Sequence, residues 1–135
     1  MLFRSNAIIQ NALAKKFVLD VVHEGRKKFR LNFVSMGKIA VGTVVLNRVA
    51  SGEFPDSVRD VIFDTKWGIQ FQPVANGTVY YEPTQESVLA AKLVLDGARA
   101  AGDSLYFLAP HLTDNHWTME NREFVVTIGC HWFYR

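Results

Sequence analysis

A single cysteine, Cys130, leaves the chain without any internal disulfide to close, so its fold must be held by packing alone. Apolar residues never run uninterrupted for the roughly 18 positions that a membrane-spanning helix needs, which removes a membrane span from the expectations. The excess of basic over acidic residues is small too. Fifteen Lys and Arg against 13 Asp and Glu give a formal +2, compatible with an anionic polymer but too mild for a dedicated nucleic-acid machine. There is no phosphate loop, dinucleotide fingerprint or nucleophilic-serine elbow. Met1-Leu2-Phe3-Arg4 lacks the ordered regions of a secretion signal, so export is not explained by the opening residues. Internal repeats, linkers and low-complexity tracts are missing as well.

What is present suits one real core. With 135 residues, 49% of them hydrophobic, the chain is read as a single domain, 1–135. Its most informative stretch runs from Met36 to Val49. Ile39, Ala40, Val41, Val44, Val45, Leu46 and Val49 wrap most of a helix circumference, so this helix should be enclosed by other elements and end before Gly52.

Upstream, Ile8, Ile9, Ala12, Leu13, Phe17, Val18, Val21 and Val22 fall on one side of an opening helix that ends near Glu24-Gly25. Arg26 to Phe33 is basic and aperiodic, which suits an exposed loop. After the central helix, Pro55 starts a turn into a short helix, with Asp56 and Asp60 in its early turns. Ile69 to Tyr81 mixes β-branched and aromatic residues around Asn76-Gly77 and predicts a hairpin or paired extended segments. Thr84 is the N-cap of a further helix whose Val88, Ala91 and Leu95 share a face and which stops at Gly97. Ser104 to Pro110 is apolar, aromatic and too short for a helix, so it should be an internal extended segment passing behind or along a cleft. A polar turn, Thr113 to His116, then leads to Trp117, and Phe124 to Tyr134 should pack the chain end onto the core.

Met36 to Val49, Phe54-Pro55, Val61-Ile62-Phe63 and Gln70-Phe71-Gln72-Pro73-Val74-Ala75-Asn76-Gly77 together resemble the catalytic domain of SleB/CwlJ-type cell wall hydrolases. Tyr106-Phe107 with Pro110, and Ile128-Gly129-Cys130-His131 with Phe133, resemble two further segments of that family. The resemblance spans Met36 to Tyr134, matches residues 1–35 poorly, and enters them only through His23-Glu24. It implies an α+β, mainly helical domain with a lysozyme-like cleft and a small β-hairpin element. It also implies cleavage of peptidoglycan between N-acetylmuramic acid and N-acetylglucosamine by lytic transglycosylation, with no metal or organic cofactor. The implied setting is the cell wall, the spore cortex or the extracellular space, and the implied partner is the peptidoglycan glycan strand.

Under that resemblance Glu24 is the catalytic residue. Glycosidic cleavage needs a carboxylic acid that keeps its proton near neutral pH, which an apolar pocket supplies by disfavouring the carboxylate. Glu24 follows Val21-Val22-His23, where helix packing can set it at the lip of a cleft. The residues after it, Arg26-Lys27-Lys28-Phe29-Arg30, replace the family's small and acidic ones, and Glu24 stands thirteen positions before Gly37. Two readings stay open: a lengthened loop in which Glu24 keeps its role, or a non-catalytic peptidoglycan-binding module. A small nucleic-acid-binding protein using Arg26, Lys27 and Lys28 is a third.

The substrate-binding candidates are Gln70, Phe71, Asn76, Tyr106 and Trp117. The amides of Gln70 and Asn76 suit sugar hydroxyls and N-acetyl groups, Phe71 offers an apolar platform, Tyr106 a hydroxyl and Trp117 a stacking face. Ala109 stands where the family has asparagine, so one polar contact is expected to be missing. His111, Asp114 and His116 lie in a loop without an organised third ligand and are read as a solvated turn, not a zinc site. His131 is read as a structural hydrogen-bonding residue. It forms no dyad with Cys130, since neighbours on an extended chain point opposite ways.

Overall fold

The computed structural model describes residues 33–114 and 116–135. The opening helix, the basic segment and Glu24 lie outside the described residues.

The central helix, α1 (Phe33–Ser51), begins three residues before the expected start and ends where Gly52 takes φ +77. Ile39, Ala40, Val41, Val44 and Val45 are all buried, as a helix apolar around most of its circumference requires. Each fully buried Val or Ile here contributes roughly 1.5–3 kcal/mol. Along α1 packs α4 (Gln85–Leu95). Thr84 caps α4, its hydroxyl accepting from the Ser87 amide at 3.3 Å, and Gly97 (φ +111) follows its end. The buried stripe of α4 holds Val88, Leu89, Ala90, Ala91 and Val94. Leu95, expected on that face, lies instead at the solvent edge, 37% exposed.

Between them lie α2 (Val58–Ile62) and α3 (Gln72–Asn76). The start of α2 is set by Ser57, whose hydroxyl accepts from the Asp60 amide, so the helix begins three residues after Pro55. The hairpin expected over Ile69 to Tyr81 is not formed. Pro73 sits in the first turn of α3, where its fixed φ is an asset and its missing N–H costs nothing. Gly77 (φ +83) ends that helix in the left-handed conformation, and a single 3₁₀ turn, Thr78–Tyr80, follows. Asn76-Gly77 is therefore a helix stop.

The hairpin is at the chain end. β1 (Tyr106–Leu108), β2 (Phe124–Ile128) and β3 (His131–Tyr134) form one antiparallel sheet with β3 in the middle. Phe107 faces Phe133 across β1 and β3, and Ile128 faces His131 across β2 and β3, with a bulge between Phe124 and Val126. The two-residue turn opens on Gly129 at φ +59, a position that favours glycine.

Candidate active-site cleft

One row of α1 sets the cleft wall. Thr43, Asn47 and Arg48 follow one another at helical spacing, and each holds backbone of the segment leading into β1. Buried Thr43 Oγ1 donates to the Ile39 carbonyl and accepts from the Ala100 amide at 3.1 Å. Asn47 Nδ2 donates to the carbonyls of Gly102 and Ser104 at 3.0 and 2.9 Å. Arg48 Nε donates to the Leu105 carbonyl at 2.7 Å. These bonds steady a loop in which Ala101 takes φ +66, a left-handed conformation costing about 1–2 kcal/mol for a non-glycine residue.

From that anchored segment the alternation of β1 does the rest. Tyr106 and Leu108 face a cleft of about 810 Å³, while Phe107 turns into the core against Phe133 and Phe71. The near side of the cleft also carries Arg48, Glu53 and Phe54. Lys66, Trp67, Ile69 and Gln70 line the cleft as well, as do Leu112, Thr113, Trp117, Thr118 and Arg122. Two tryptophans project into reach of a ligand: Trp67 is 79% exposed and Trp117 49%.

Arg48 sits at the base, 3% exposed. Burial pulls its pKa down from the usual arginine range to about 10, while Tyr106 and Asp64 act in the opposite direction. The guanidinium therefore stays charged at neutral pH. Among the described residues no carboxylate lies within 4 Å of it. Its compensation comes from the Leu105 carbonyl, from Gln70 Oε1 at 3.3 Å and from the Phe54 and Tyr106 rings at 4.4 and 5.5 Å. Gln70 in turn donates through Nε2 to the Gly68 carbonyl at 3.0 Å, which fixes its amide.

Of the five expected binding residues, the fold brings Gln70, Tyr106 and Trp117 to the cleft. Phe71 is a correction. It is 1% exposed and packed on Phe107, so its ring cannot serve as a platform for a sugar. Asn76 is another, because its side-chain oxygen accepts from the Thr78 amide and hydroxyl at 3.0 and 2.7 Å, tying down the helix end outside the cleft. Cys130 and His131 depart from the alternation expected of them. Gly129 and Cys130 make the hairpin turn, so Cys130 Sγ reaches 3.5 Å from His131 Nδ1. His131 is buried beside the Phe107 ring, and neither residue lines the cleft.

Arg48, Lys66, Trp67 and Arg122 went unread in the sequence. Arg48 had a signal: it follows Val44 and Val45 by four and three positions, so helical periodicity places it on the buried side of α1. The others stand in loops or at the end of a short helix, where no period points to them. Among the described residues no three His, Cys, Asp or Glu side chains converge on a metal position, and no helix is long and apolar enough to cross a membrane.

The family model for cell wall hydrolases matches residues 34–134. The spore cortex-lytic enzyme of Bacillus cereus is 34% identical over 98 residues, which cover 73% of this chain and 36% of that relative. The chain thus spans about a third of the length of this curated relative. Among solved structures, the catalytic domain of the germination-specific lytic transglycosylase SleB from Bacillus anthracis matches with a TM-score of 0.70 at 28% identity, over 98% of this chain and 94% of that one. The catalytic domain of the Bacillus cereus SleB protein matches with 0.68 at 29% identity, over 98% and 90%. The fold is the mainly helical, lysozyme-like α+β architecture of these domains, and the chain belongs to the cell wall hydrolase family of the SleB/CwlJ type.

Proposed function

We propose that this chain cleaves peptidoglycan strands at the bond between N-acetylmuramic acid and N-acetylglucosamine, as a lytic transglycosylase. The observation that carries the reading is the match to nearly the whole of a lytic transglycosylase catalytic domain. Supporting it is a cleft whose lining combines the fixed amide of Gln70 and the Tyr106 hydroxyl with the partly exposed Trp117 ring, the mixture of polar groups and flat apolar faces that sugars require.

In this reading Glu24 is the one carboxyl group that works twice. As an acid it gives its proton to the glycosidic oxygen, and the leaving sugar departs with that oxygen as a hydroxyl. As a carboxylate it then takes the proton of the muramyl 6-hydroxyl, whose oxygen closes onto the anomeric carbon to form an anhydro ring. Water is not consumed. Gln70, Tyr106 and Trp117 hold the strand.

The test is mass spectrometry of purified peptidoglycan after incubation with the protein and with Glu24→Gln. Anhydromuropeptides from the wild type, lost in the variant by at least about 100-fold as expected for removal of a general acid, support the proposal. Reducing-end muropeptides would mean hydrolysis. An uncut wall that still retains the protein would mean the binding module, for which the basic run after Glu24 is the feature in favour.

A further inference from the structure

The described cations differ in what neutralises them. Away from the cleft, Lys38 lies 3.8 Å from Glu86, Lys92 pairs with Asp96 and Arg135 is 3.4 Å from Asp103, while Arg59 lies over the half-buried Phe63 ring and Arg99 donates to the Val94 and Ala98 carbonyls. At the cleft, Lys66 and Arg122 have no carboxylate within 4 Å among the described residues, although Glu53 lines the same cleft. Each lies instead against an aromatic ring that the core does not enclose. Lys66 Nζ is 5.4 Å from the Trp67 ring centre, and the Arg122 guanidinium is 4.9 Å from that of Tyr106 and 5.1 Å from that of Trp117.

This arrangement contributes little to stability. A tryptophan 79% exposed buries little apolar surface, and a cation over a solvated ring contributes only about 0.5–1 kcal/mol. Yet the loop presenting Trp67 is held in place. The Lys66 amide donates to Asp64 Oδ1 at 3.1 Å, Gly68 turns at φ +93, and Gln70 ties the Gly68 carbonyl to the Arg48 floor.

A neutral pyranose needs only the ring faces. A positive charge beside each ring, without a carboxylate within 4 Å among the described residues, adds recognition of an anion, and on a peptidoglycan strand the anion next to a sugar face is a carboxylate. That group is a carboxylate of the stem peptide or, on a muramyl residue without a stem peptide, the free lactyl carboxylate. We propose that Lys66 with Trp67, and Arg122 with Trp117, form two posts that select strands bearing pendant carboxylates. The rings take the sugar faces and the cations take the acids, which makes Lys66 and Arg122 specificity-determining residues. This inference rests on the peptidoglycan reading above and deepens it.

The experiment measures the affinity of the full chain and of a Lys66→Glu, Arg122→Glu double variant for three ligands. These are intact peptidoglycan, peptidoglycan stripped of stem peptides by an amidase, and a neutral chitooligosaccharide. Both positions are exposed, and circular dichroism verifies that the variant folds. The wild type should favour the carboxylate-bearing ligands, and added salt should erode that preference. The double variant should lose it by about tenfold relative to the neutral sugar. A loss confined to intact wall assigns the stem peptide, a loss confined to the stripped wall assigns the lactyl carboxylate that the amidase frees, and a loss on both means that the posts take either acid. An unchanged preference, or equal losses on all three ligands, overturns the inference. A wild type that binds with this preference but leaves the wall uncut overturns the catalytic reading and not this one.

Discussion

Strand β1 parts two aromatic clusters made of nearly the same residue types. Inward, Phe107 stacks on Phe133 at 5.7 Å and meets Phe71 at 6.2 Å, all three sealed from solvent. Outward, Tyr106 meets Phe54 at 6.2 Å and Trp117 at 6.4 Å, with the Arg48 and Arg122 guanidinium groups at 5.5 and 4.9 Å. One cluster is dry and uncharged at its centre, and the other is open and cationic. A one-residue step along a strand separates them, so aromatic content says little about role until the pleat is known. The inner rings contribute stability. The outer ones line the cleft.

The sharpest way to break this contrast is Phe107→Ala. Removing a sealed ring at the junction of β1, β3 and α3 should cost about 3–5 kcal/mol in denaturant unfolding. A loss below about 1 kcal/mol would mean that the inner cluster is not the structural one. Trp117→Ala should behave in the opposite manner. Its ring is half exposed, so unfolding should shift by no more than about 1 kcal/mol, while affinity for a glycan strand should drop about fivefold to tenfold through the lost stacking face. Equal damage to stability from both variants would erase the distinction.

The smallest effect concerns His131 on the inner side. Burial lowers its pKa, and His111 adds to the shift in the same direction. The unfolded chain then binds a proton that the folded chain resists, so stability should fall as pH drops through the unfolded value near 6.5 and be regained above it. Thermal unfolding followed from about pH 7.5 to 5.5 should show this fall, and His131→Gln should reduce it. The buried Arg48 adds nothing in that window, because its lowered pKa of about 10 still lies well above it.

Much of the fold was legible because single residues settled local geometry. The all-round apolar pattern of Ile39 to Val49 could only belong to an enclosed helix, and Thr84 and Gly97 marked both ends of α4. Asn76-Gly77 misled, since a left-handed glycine serves a hairpin and a helix stop equally well. Pro73 three residues earlier was the discriminating sign. Gln70 and Tyr106 were picked from segments resembling the family and Trp117 for its stacking face, and the fold sets all three at the cleft. Phe71 was misplaced because the residue beside a cleft-facing glutamine turns inward, a matter of local backbone direction that no residue type reveals. Lys66 and Trp67 lie in an aperiodic loop whose exposure is decided by tertiary contacts.

The row Thr43, Asn47 and Arg48 has a mechanical consequence. Because the central helix grips main-chain carbonyls and an amide of the β1 leader, that jaw of the groove cannot give way without disrupting the most buried helix in the described fold. It works as an anvil. The loop that presents Trp67 is tied to the same helix through Gln70 and Arg48, so strands are sorted by fit to a wall that does not move away from them.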